Sequence, residues 1–360
     1  MTDAERKRTG GGRPGRGLTL ADVARALRVS KATVSNAYNR PDQLSAQLRE
    51  RILSEAAQLG YPGPDPIAAT FSRRRAGAIG LVFDDPLTFA LVDPAEALFV
   101  TGLGDVCEQA GVGLVLIPRG SSDDFVQRAV VDGFVLHCDL DGDTRVDAAI
   151  GRQLPVVVVD GPARTGAGHV GIDDRAGAAA AARHVIELGH RRIAVLALPL
   201  QVDDRSGPAD AMRQRSARSH VIRQRLAGYR DELTATGIDW ADVPVVECAP
   251  YSREAGYRAA GTLLDGPRRP TALLAASDEL ALGALRAAAE RGIAVPGQLS
   301  VVGFDDAPTA AWATPALTTV HQPHYDKGRV AAEQLLKPAG RAETILPTKL
   351  VIRRSTSTLT

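Results

Sequence analysis

Residues 18–39 read LTLADVARALRVSKATVSNAYN, two short amphipathic segments joined by a tight turn. Thr19 is placed to cap the first helix, with Asp22 three residues on completing a T-x-x-D box. Leu20, Val23, Ala24 and Leu27 recur at i, i+3, i+4 and i+7 and form one apolar face. Ser30 caps a second helix whose Val34, Ala37 and Tyr38 share an inward face, which leaves Lys31, Ala32, Ser35 and Asn36 pointing outward. This is helix-turn-helix geometry, in which the second helix lies in the major groove of DNA with its first residues at base edges. Any two amphipathic helices with a short turn would show the same periodicity, so the reading needs support from its surroundings.

That support follows directly. Leu44, Leu48, Ile52, Ala56 and Leu59 predict a third helix, capped by Ser45 and stopped by Gly60, enough to close a core over a recognition helix. The run Tyr61-Pro-Gly-Pro-Asp-Pro66 is too proline-rich for helix and leads into IAATFSRRRAG. In order, Thr19-Leu-Ala-Asp-Val-Ala24, Val29-Ser-Lys-Ala-Thr-Val-Ser-Asn-Ala-Tyr-Asn39 and Gly60-Tyr61 with Pro64-Asp65-Pro-Ile-Ala68-Ala-Thr-Phe71 resemble the DNA-binding head and hinge of the lactose-repressor family of bacterial transcription regulators.

Composition agrees with a large protein that carries a small basic module. At 360 residues, 44% hydrophobic and 24% charged, the chain has room for two or three ordinary globular domains. Residues 1–75 hold 14 Lys and Arg against 7 Asp and Glu, while the rest holds 29 against 35. A basic head on an acidic body is the footprint of a phosphate-binding module joined to something that does not bind nucleic acid. The three cysteines (Cys107, Cys138, Cys248) imply no disulfide framework and fit a reducing cytoplasm. No membrane span and no signal peptide is expected. Residues 1–17 read as a disordered basic tail.

From residue 78 the pattern switches to apolar runs at 78–83, 112–117, 132–137, 155–159, 192–198, 243–248, 271–276 and 299–304. They lack alternation, as expected of parallel strands covered on both faces. Between them, 97–110, 174–188, 222–236, 253–264 and 279–291 carry alanine-rich helical periodicity. This is a doubly wound α/β architecture with too many strands for one sheet-centred body, hence two lobes. The resemblance extends here through Asp173-Asp-Arg-Ala-Gly177, His184-Val-Ile-Glu-Leu-Gly-His-Arg-Arg-Ile193, Gly303-Phe-Asp-Asp306 and Pro315-Ala-Leu-Thr-Thr-Val-His-Gln-Pro323. It implies the effector fold of periplasmic sugar-binding proteins, with three crossings between lobes. On that resemblance 18–61 is the head and 62–76 the hinge. Residues 77–170 with 324–345 form the DNA-proximal lobe, and 171–322 with 346–360 form the distal one. The stretch 199–218 reads as an insertion outside the core.

On the DNA side, the start of the second helix and the position one turn on nominate Lys31, Ala32 and Asn36 as base readers, the positions that read bases in the family. Lysine donates to guanine, asparagine pairs bidentately with adenine, and alanine packs on a thymine methyl. The family usually carries arginine where Asn36 stands, so an altered operator is expected. Thr19, Ser30, Thr33, Ser35 and Asn39 are suited to phosphates, which fix register without reading sequence. The resemblance makes residues 67–72 a hinge helix in which Phe71 replaces the usual leucine wedge of the minor groove. One head buries too little surface to find its site among genomic competitors, so a homodimer on a pseudo-palindromic operator is expected.

On the ligand side, open α/β sheets bind outside the carboxyl ends of their strands. Matching the family's effector contacts by position selects Asp173, Arg225, Tyr251, Ser277 and Asp305, with Asp84 and Phe89 completing the site from the other lobe. Each also has a plain structural reading, since Asp or Ser after a strand commonly caps the next helix. Carboxylates and arginine suit a hydroxyl-rich, sugar-like effector, although aromatics are only 4% of the chain. No G-x-S-x-G, Walker or H-E-x-x-H motif is present. Neither a catalytic residue nor a metal site nor a cofactor is therefore expected. A transporter's solute-binding component would need a secretion signal and no basic head, the reverse of this chain. Repression is the expected sense; activation by the same family remains open.

Overall fold

The protein is described here by a computed structural model covering residues 18–63, 75–83, 87–118, 123–137, 142–337 and 342–359. The expected tail at 1–17, the wedge Phe71 and Asp84 lie outside these residues. Phe89 falls in a described helix, but its side chain lies outside the description.

Among the described residues of the N-terminal unit, within Met1–Ala76, are three α-helices: α1 (Leu20–Leu27), α2 (Lys31–Asn39) and α3 (Ala46–Gln58). Asp22 closes the start of α1 by accepting from both the Thr19 backbone N–H and the Thr19 hydroxyl, at 3.0 and 2.6 Å. Arg28 ends α1 in a left-handed conformation (φ 55°), and its N–H caps the carbonyls of Ala24 and Arg25. Ser30 then starts α2 by accepting from Thr33 N. Val23, Ala24, Leu27, Val34, Ala37, Ile52, Ala56 and Tyr61 form the core that holds α2 in place. Leu59, expected on that core, is exposed, and Tyr61 fills its place after the turn at Gly60, whose φ of 77° stops α3. A 3-10 turn at Pro41–Gln43 follows α2.

The second unit, Gly77–Thr360, is built on two sheets. Its strands are β1 (Ala78–Phe83), β2 (Gly113–Ile117), β3 (Phe134–His137), β4 (Val156–Val159), β5 (Gly168–Ile172), β6 (Ile193–Ala197), β7 (Gly207–Pro208), β8 (Val245–Glu247), β9 (Ala272–Ala275), β10 (Ser300–Asp305), β11 (Thr318–His321), β12 (Glu343–Leu346) and β13 (Lys349–Val351). Its helices are α4 (Leu87–Ala90), α5 (Pro94–Ala110), α6 (Asp123–Arg128), α7 (Thr144–Gly151), α8 (Asp174–Glu187), α9 (Ala211–Arg215), α10 (His220–Ala235), α11 (Arg253–Asp265), α12 (Asp278–Glu290), α13 (Pro308–Trp312) and α14 (His324–Leu336). One sheet runs β12-β5-β4-β3-β1-β2, with every pairing parallel. The other runs β13-β11-β10-β9-β6-β8-β7 and is antiparallel only at its two outermost pairings. The chain passes between sheets after β5, after β11 and after β12.

Three expectations need correction. β2 is an edge strand and alternates between exposed (Gly113, Val115) and half-buried (Leu114, Leu116) positions, with only Ile117 buried, because only one neighbour covers it. The stretch 199–218 does not lie outside the core. Leu200, Ala209 and Ala217 are buried in it, β7 extends the second sheet, and Arg213 is bonded to the buried Glu247 at 2.8 and 2.9 Å. Finally, five strands (β5, β7, β11, β12, β13) and the helices α4, α6, α7, α9, α13 and α14 go beyond the elements that the sequence marks. In α14 the buried face includes Lys327 and Gln334, so its apolar periodicity is broken by polar side chains that nonetheless point inward.

Candidate functional site

The start of α2 is an exposed platform. Lys31 and Ala32 are exposed, as expected for residues aimed at a partner, while Thr33, Ser35, Asn36 and Asn39 are half-buried. Ser30 and Thr33 bond to each other through their hydroxyls at 2.8 Å, and Asn39 donates to Ser35 Oγ at 3.3 Å. Half-buried Thr19 spends its hydroxyl on Asp22, so that hydroxyl must turn before it can donate to a phosphate. Asn36, one turn into the helix, donates from Nδ2 to Gln43 Oε1 at 3.1 Å, a partner that nothing in the sequence marks. An exposed cation at a helix N-terminus, whose own N–H groups carry partial positive charge, with a half-buried amide one turn on, makes a surface suited to an anionic, hydrogen-bonding partner.

In the second unit the carboxyl ends of both parallel sheets converge on one buried polar layer. Asp160 follows β4 and bonds to the ammonium of Lys327 on α14, which also donates to Gln322 Oε1 at 2.8 Å. Gln322 follows β11 and donates in turn to Asp305 at the end of β10. Asp305 accepts from the backbone N–H of Asp278 at 3.2 Å. His137, at the end of β3, lies 3.1 Å from Glu96 Oε2 and 3.5 Å from Asp160 Oδ2. This chain of contacts therefore runs from one sheet to the other. A second link is the Tyr251 hydroxyl, which donates to Asp93 Oδ2 at 3.3 Å, joining the segment before α11 to the N-cap of α5. Asp160, Asp305 and Asp306 all stand on positive-φ backbone (57°, 128° and 59°), a cost that tends to persist where the surroundings require a particular side-chain direction.

Four of the residues named from sequence come together here. Arg225 donates to Asp174 Oδ1 at 2.8 Å and to the Ala276 carbonyl at 2.6 Å, and its guanidinium stacks 3.7 Å from the centre of the Phe304 ring. Its Nη1 is 3.9 Å from Asp305 Oδ1. Ser277 caps α12 and lies beside the Tyr251 phenol. Asp173 is exposed and caps α8 through Ala176 N at 2.8 Å, the plain role of an aspartate after a strand; its neighbour Asp174 is the one that turns inward. Asp93, Glu96, His137, Asp160, Asp174, Asp278, Gln322, His324 and Lys327 were not singled out as ligand contacts. Strand-end position was the usable signal for His137, Asp160 and Asp278; the others gather only through the fold.

Crowding of carboxylates sets the protonation of this layer. Burial, then the charges of Asp305 and Glu96, push Asp93 up to about 7. Burial and the neighbouring Asp305 raise Asp278 well above the usual carboxylate range. Burial alone would lower His137, but the Glu96 and Asp160 carboxylates outweigh it and lift the imidazole to about 10, so it is a cation at neutral pH. Burial and the ammonium of Lys327 lower His324, which keeps it neutral. Among the described residues, neither ring nitrogen of His324, which is only 5% exposed, has a hydrogen-bond partner, although Nε2 stands 3.7 Å from Asp305 Oδ1, and the buried Asp160 Oδ1 also has none. Such groups each cost free energy unless something polar satisfies them, on the order of 1–3 kcal/mol. The layer can thus accept several hydroxyl or amine donors and offer Arg225 and an imidazole in return. Among the described residues no group of three or more His, Cys, Asp or Glu is arranged to hold a metal ion, and no helix is long and apolar enough to cross a membrane.

Comparison with known proteins places both units. Residues 19–63 match the family described as bacterial regulatory proteins, lacI family, and residues 182–356 match the periplasmic binding protein-like domain. An HTH-type transcriptional regulator of Mycobacterium tuberculosis is 46% identical over 332 residues, 90% of this chain and 92% of that protein. The HTH-type transcriptional regulator IpsA of Corynebacterium glutamicum is 40% identical over 329 residues, 89% of this chain and 90% of that one. Among solved structures, the lac repressor dimer bound to operator and the anti-inducer ONPF superposes with a TM-score of 0.76 at 28% identity, covering 95% of this chain and 100% of that one. The complex of the regulator CelR with cellobiose does so with a TM-score of 0.67 at 29% identity, covering 94% and 99%. The chain belongs to the lacI family of bacterial regulatory proteins: it is a transcriptional regulator in which a helix-turn-helix head is joined to a periplasmic-binding-protein-like domain.

Proposed function

We propose that the protein is a ligand-responsive repressor that binds a pseudo-palindromic operator as a homodimer and releases or grips it according to a hydroxyl-rich, sugar-like effector held between its two sheets. The observation that carries the effector reading is the buried polar layer at the facing strand ends, where the ring nitrogens of His324 and Asp160 Oδ1 have no hydrogen-bond partner among the described residues. Arg225, Tyr251, Ser277 and Asp305 are the sequence-named contacts, with His324 and Asp93 added; Asp84 and Phe89 are assigned the same role from the other lobe. Asp173 is kept out of the contact set, its carboxylate being occupied at the start of α8.

On the DNA side Lys31, Ala32 and Asn36 read bases, Thr19, Ser30, Thr33, Ser35 and Asn39 meet phosphates, and Phe71 wedges the minor groove. The lac repressor dimer on its operator and the CelR–cellobiose complex, both similar along nearly the whole chain, support the pairing of these two roles. Effector contacts to both sheets favour one relative placement of the lobes, and the hinge spacing follows; the shift in operator affinity cannot exceed the effector's preference for that placement.

Thermal-shift screening of the purified full chain against sugars, nucleosides and small acids tests the effector reading. A true effector at 100 times its Kd stabilises the domain by about 2.7 kcal/mol and raises its melting temperature accordingly. If the hit is an acid rather than a polyol, or if Arg225→Lys and His324→Phe leave the shift unchanged, the assignment of this layer is wrong.

A further inference from the structure

The turn after α2 carries a residue that no motif pointed to. Arg40 N donates to the Asn36 carbonyl at 2.8 Å, Pro41 opens the 3-10 turn, and Leu44 N closes it on the Pro41 carbonyl at 3.3 Å. Leu44 packs against the head's core, so the turn is anchored at both ends. Gln43, exposed between these anchors, is thereby brought over the helix to accept from Asn36 Nδ2 at 3.1 Å. An exposed amide–amide bond contributes little to folding, and neither side chain belongs to the core.

Its consequence lies in what the bond leaves free. An asparagine that recognises adenine must present Oδ1 as acceptor and Nδ2 as donor in one plane at once. The torsion that sets this plane is broad and roughly two-fold, so an unheld amide is poorly oriented before it meets the base. With one Nδ2 hydrogen held by Gln43 Oε1, Asn36 keeps one donor hydrogen and the Oδ1 acceptor for a partner, in an orientation fixed beforehand.

We propose that Gln43 is a positioning residue for base reading: it orients the Asn36 amide and so sharpens base choice at the one operator position that Asn36 reads. This rests on the reading that α2 lies in the major groove. It adds a specificity determinant outside the recognition helix. Gln43 acts through Asn36 and touches no base itself.

Selection of duplexes from a randomised operator pool by the full chain tests this, with Asn36→Ala, Gln43→Ala, Gln43→Glu and the double alanine variant run in parallel. Asn36→Ala is expected to cut the preference at one symmetric position about tenfold, the scale of one bidentate contact. Gln43→Ala should weaken preference at that same position by roughly threefold, and the double variant should be no worse than Asn36→Ala alone, since the two act as one unit. Gln43→Glu keeps an acceptor for Nδ2; it should retain the preference while binding every sequence more weakly, because it adds a negative charge beside the phosphates. An unchanged melting transition of the head in Gln43→Ala shows that the loss is not unfolding. The proposal is overturned by Gln43→Ala acting uniformly across positions, or at a position Asn36 does not govern, or additively with Asn36→Ala. It is overturned together with the groove reading by Asn36→Ala moving no position at all.

Discussion

Asp93 shows how a single side chain serves two structures at once. Its Oδ1 caps α5 through Ala95 N and Glu96 N at 2.8 and 3.1 Å, while Oδ2 accepts from Tyr251. Burial and then the charges of Asp305 and Glu96 hold its folded pKa near 7, far above the ordinary carboxylate value of 3.8. The folded chain therefore binds a proton there that the unfolded chain has released, and stability falls as pH climbs from about 4 to 7 through this group. Asp93→Asn keeps a good capping residue and an acceptor for Tyr251 but removes the charge. Its melting temperature, relative to the parent, should be more favourable at pH 8 than at pH 5 in scanning calorimetry; an equal difference at both would mean the parent carboxyl is ionised throughout. His137 behaves oppositely in character but alike in sign. Protonated up to about pH 10 when folded, it contributes stability that is complete below pH 6.5 and fades as pH rises towards 10.

At the scale of elements, the helix pair α5 and α14 shows what a glycine can decide. A methyl on Gly102 would run into the carbonyl of Tyr325, and one on Gly328 into the carbonyl of Phe99, so each helix is pressed against the other's backbone. Asp93 and Glu96 stand at the head of one helix, His324 and Lys327 at the head of the other. Close packing of the pair thus sets the spacing of the polar layer. Gly102→Ala should lower the domain's stability by at least about 1–3 kcal/mol, the usual cost of overpacking, as measured by urea denaturation. A neutral result would show that the helices separate easily.

The elements also show where sequence reading reached. The apolar runs became β1–β4, β6, β8, β9 and β10 with no end moved by more than two residues; apart from the edge strand β2 they are buried almost throughout, and a strand covered on both faces leaves an unbroken apolar record. β5, β11 and β13 contain glycine, threonine or lysine and are short, so no such record exists for them. Arg225, Tyr251, Ser277 and Asp305 could be named because they follow strands or match family positions. Asp93 could not, since its meaning comes from Tyr251, 158 residues away in the chain. Gln43 was invisible for a related reason, as a turn glutamine acquires a role only once the turn's path is known.

For the whole molecule, charge and architecture divide the labour. The basic head, with 14 cationic against 7 anionic residues up to residue 75, gains affinity for any duplex by releasing counterions. That affinity must fall steeply with salt and carries no sequence information, so it cannot by itself regulate a gene. On the reading proposed above, selectivity comes from the few side chains along α2 and control from the two-sheet domain. The homodimer proposed above needs an interface, and the edge strand β2, where Val115 is 38% exposed, is the candidate to test. Chemical cross-linking or light scattering of Val115→Glu against the parent reads this directly: the parent should be dimeric and the variant shifted towards monomer, whereas an unchanged dimer would move the interface elsewhere.

The most direct measurement is selection of fragments from a randomised duplex pool by the purified full chain at physiological ionic strength, with and without the effector found by thermal shift. The account predicts enrichment of one pseudo-palindromic motif, loss of that motif in Lys31→Ala combined with Asn36→Ala, and a change in its enrichment when effector is added. Uniform recovery of all sequences, or a motif indifferent to those two side chains, would contradict it.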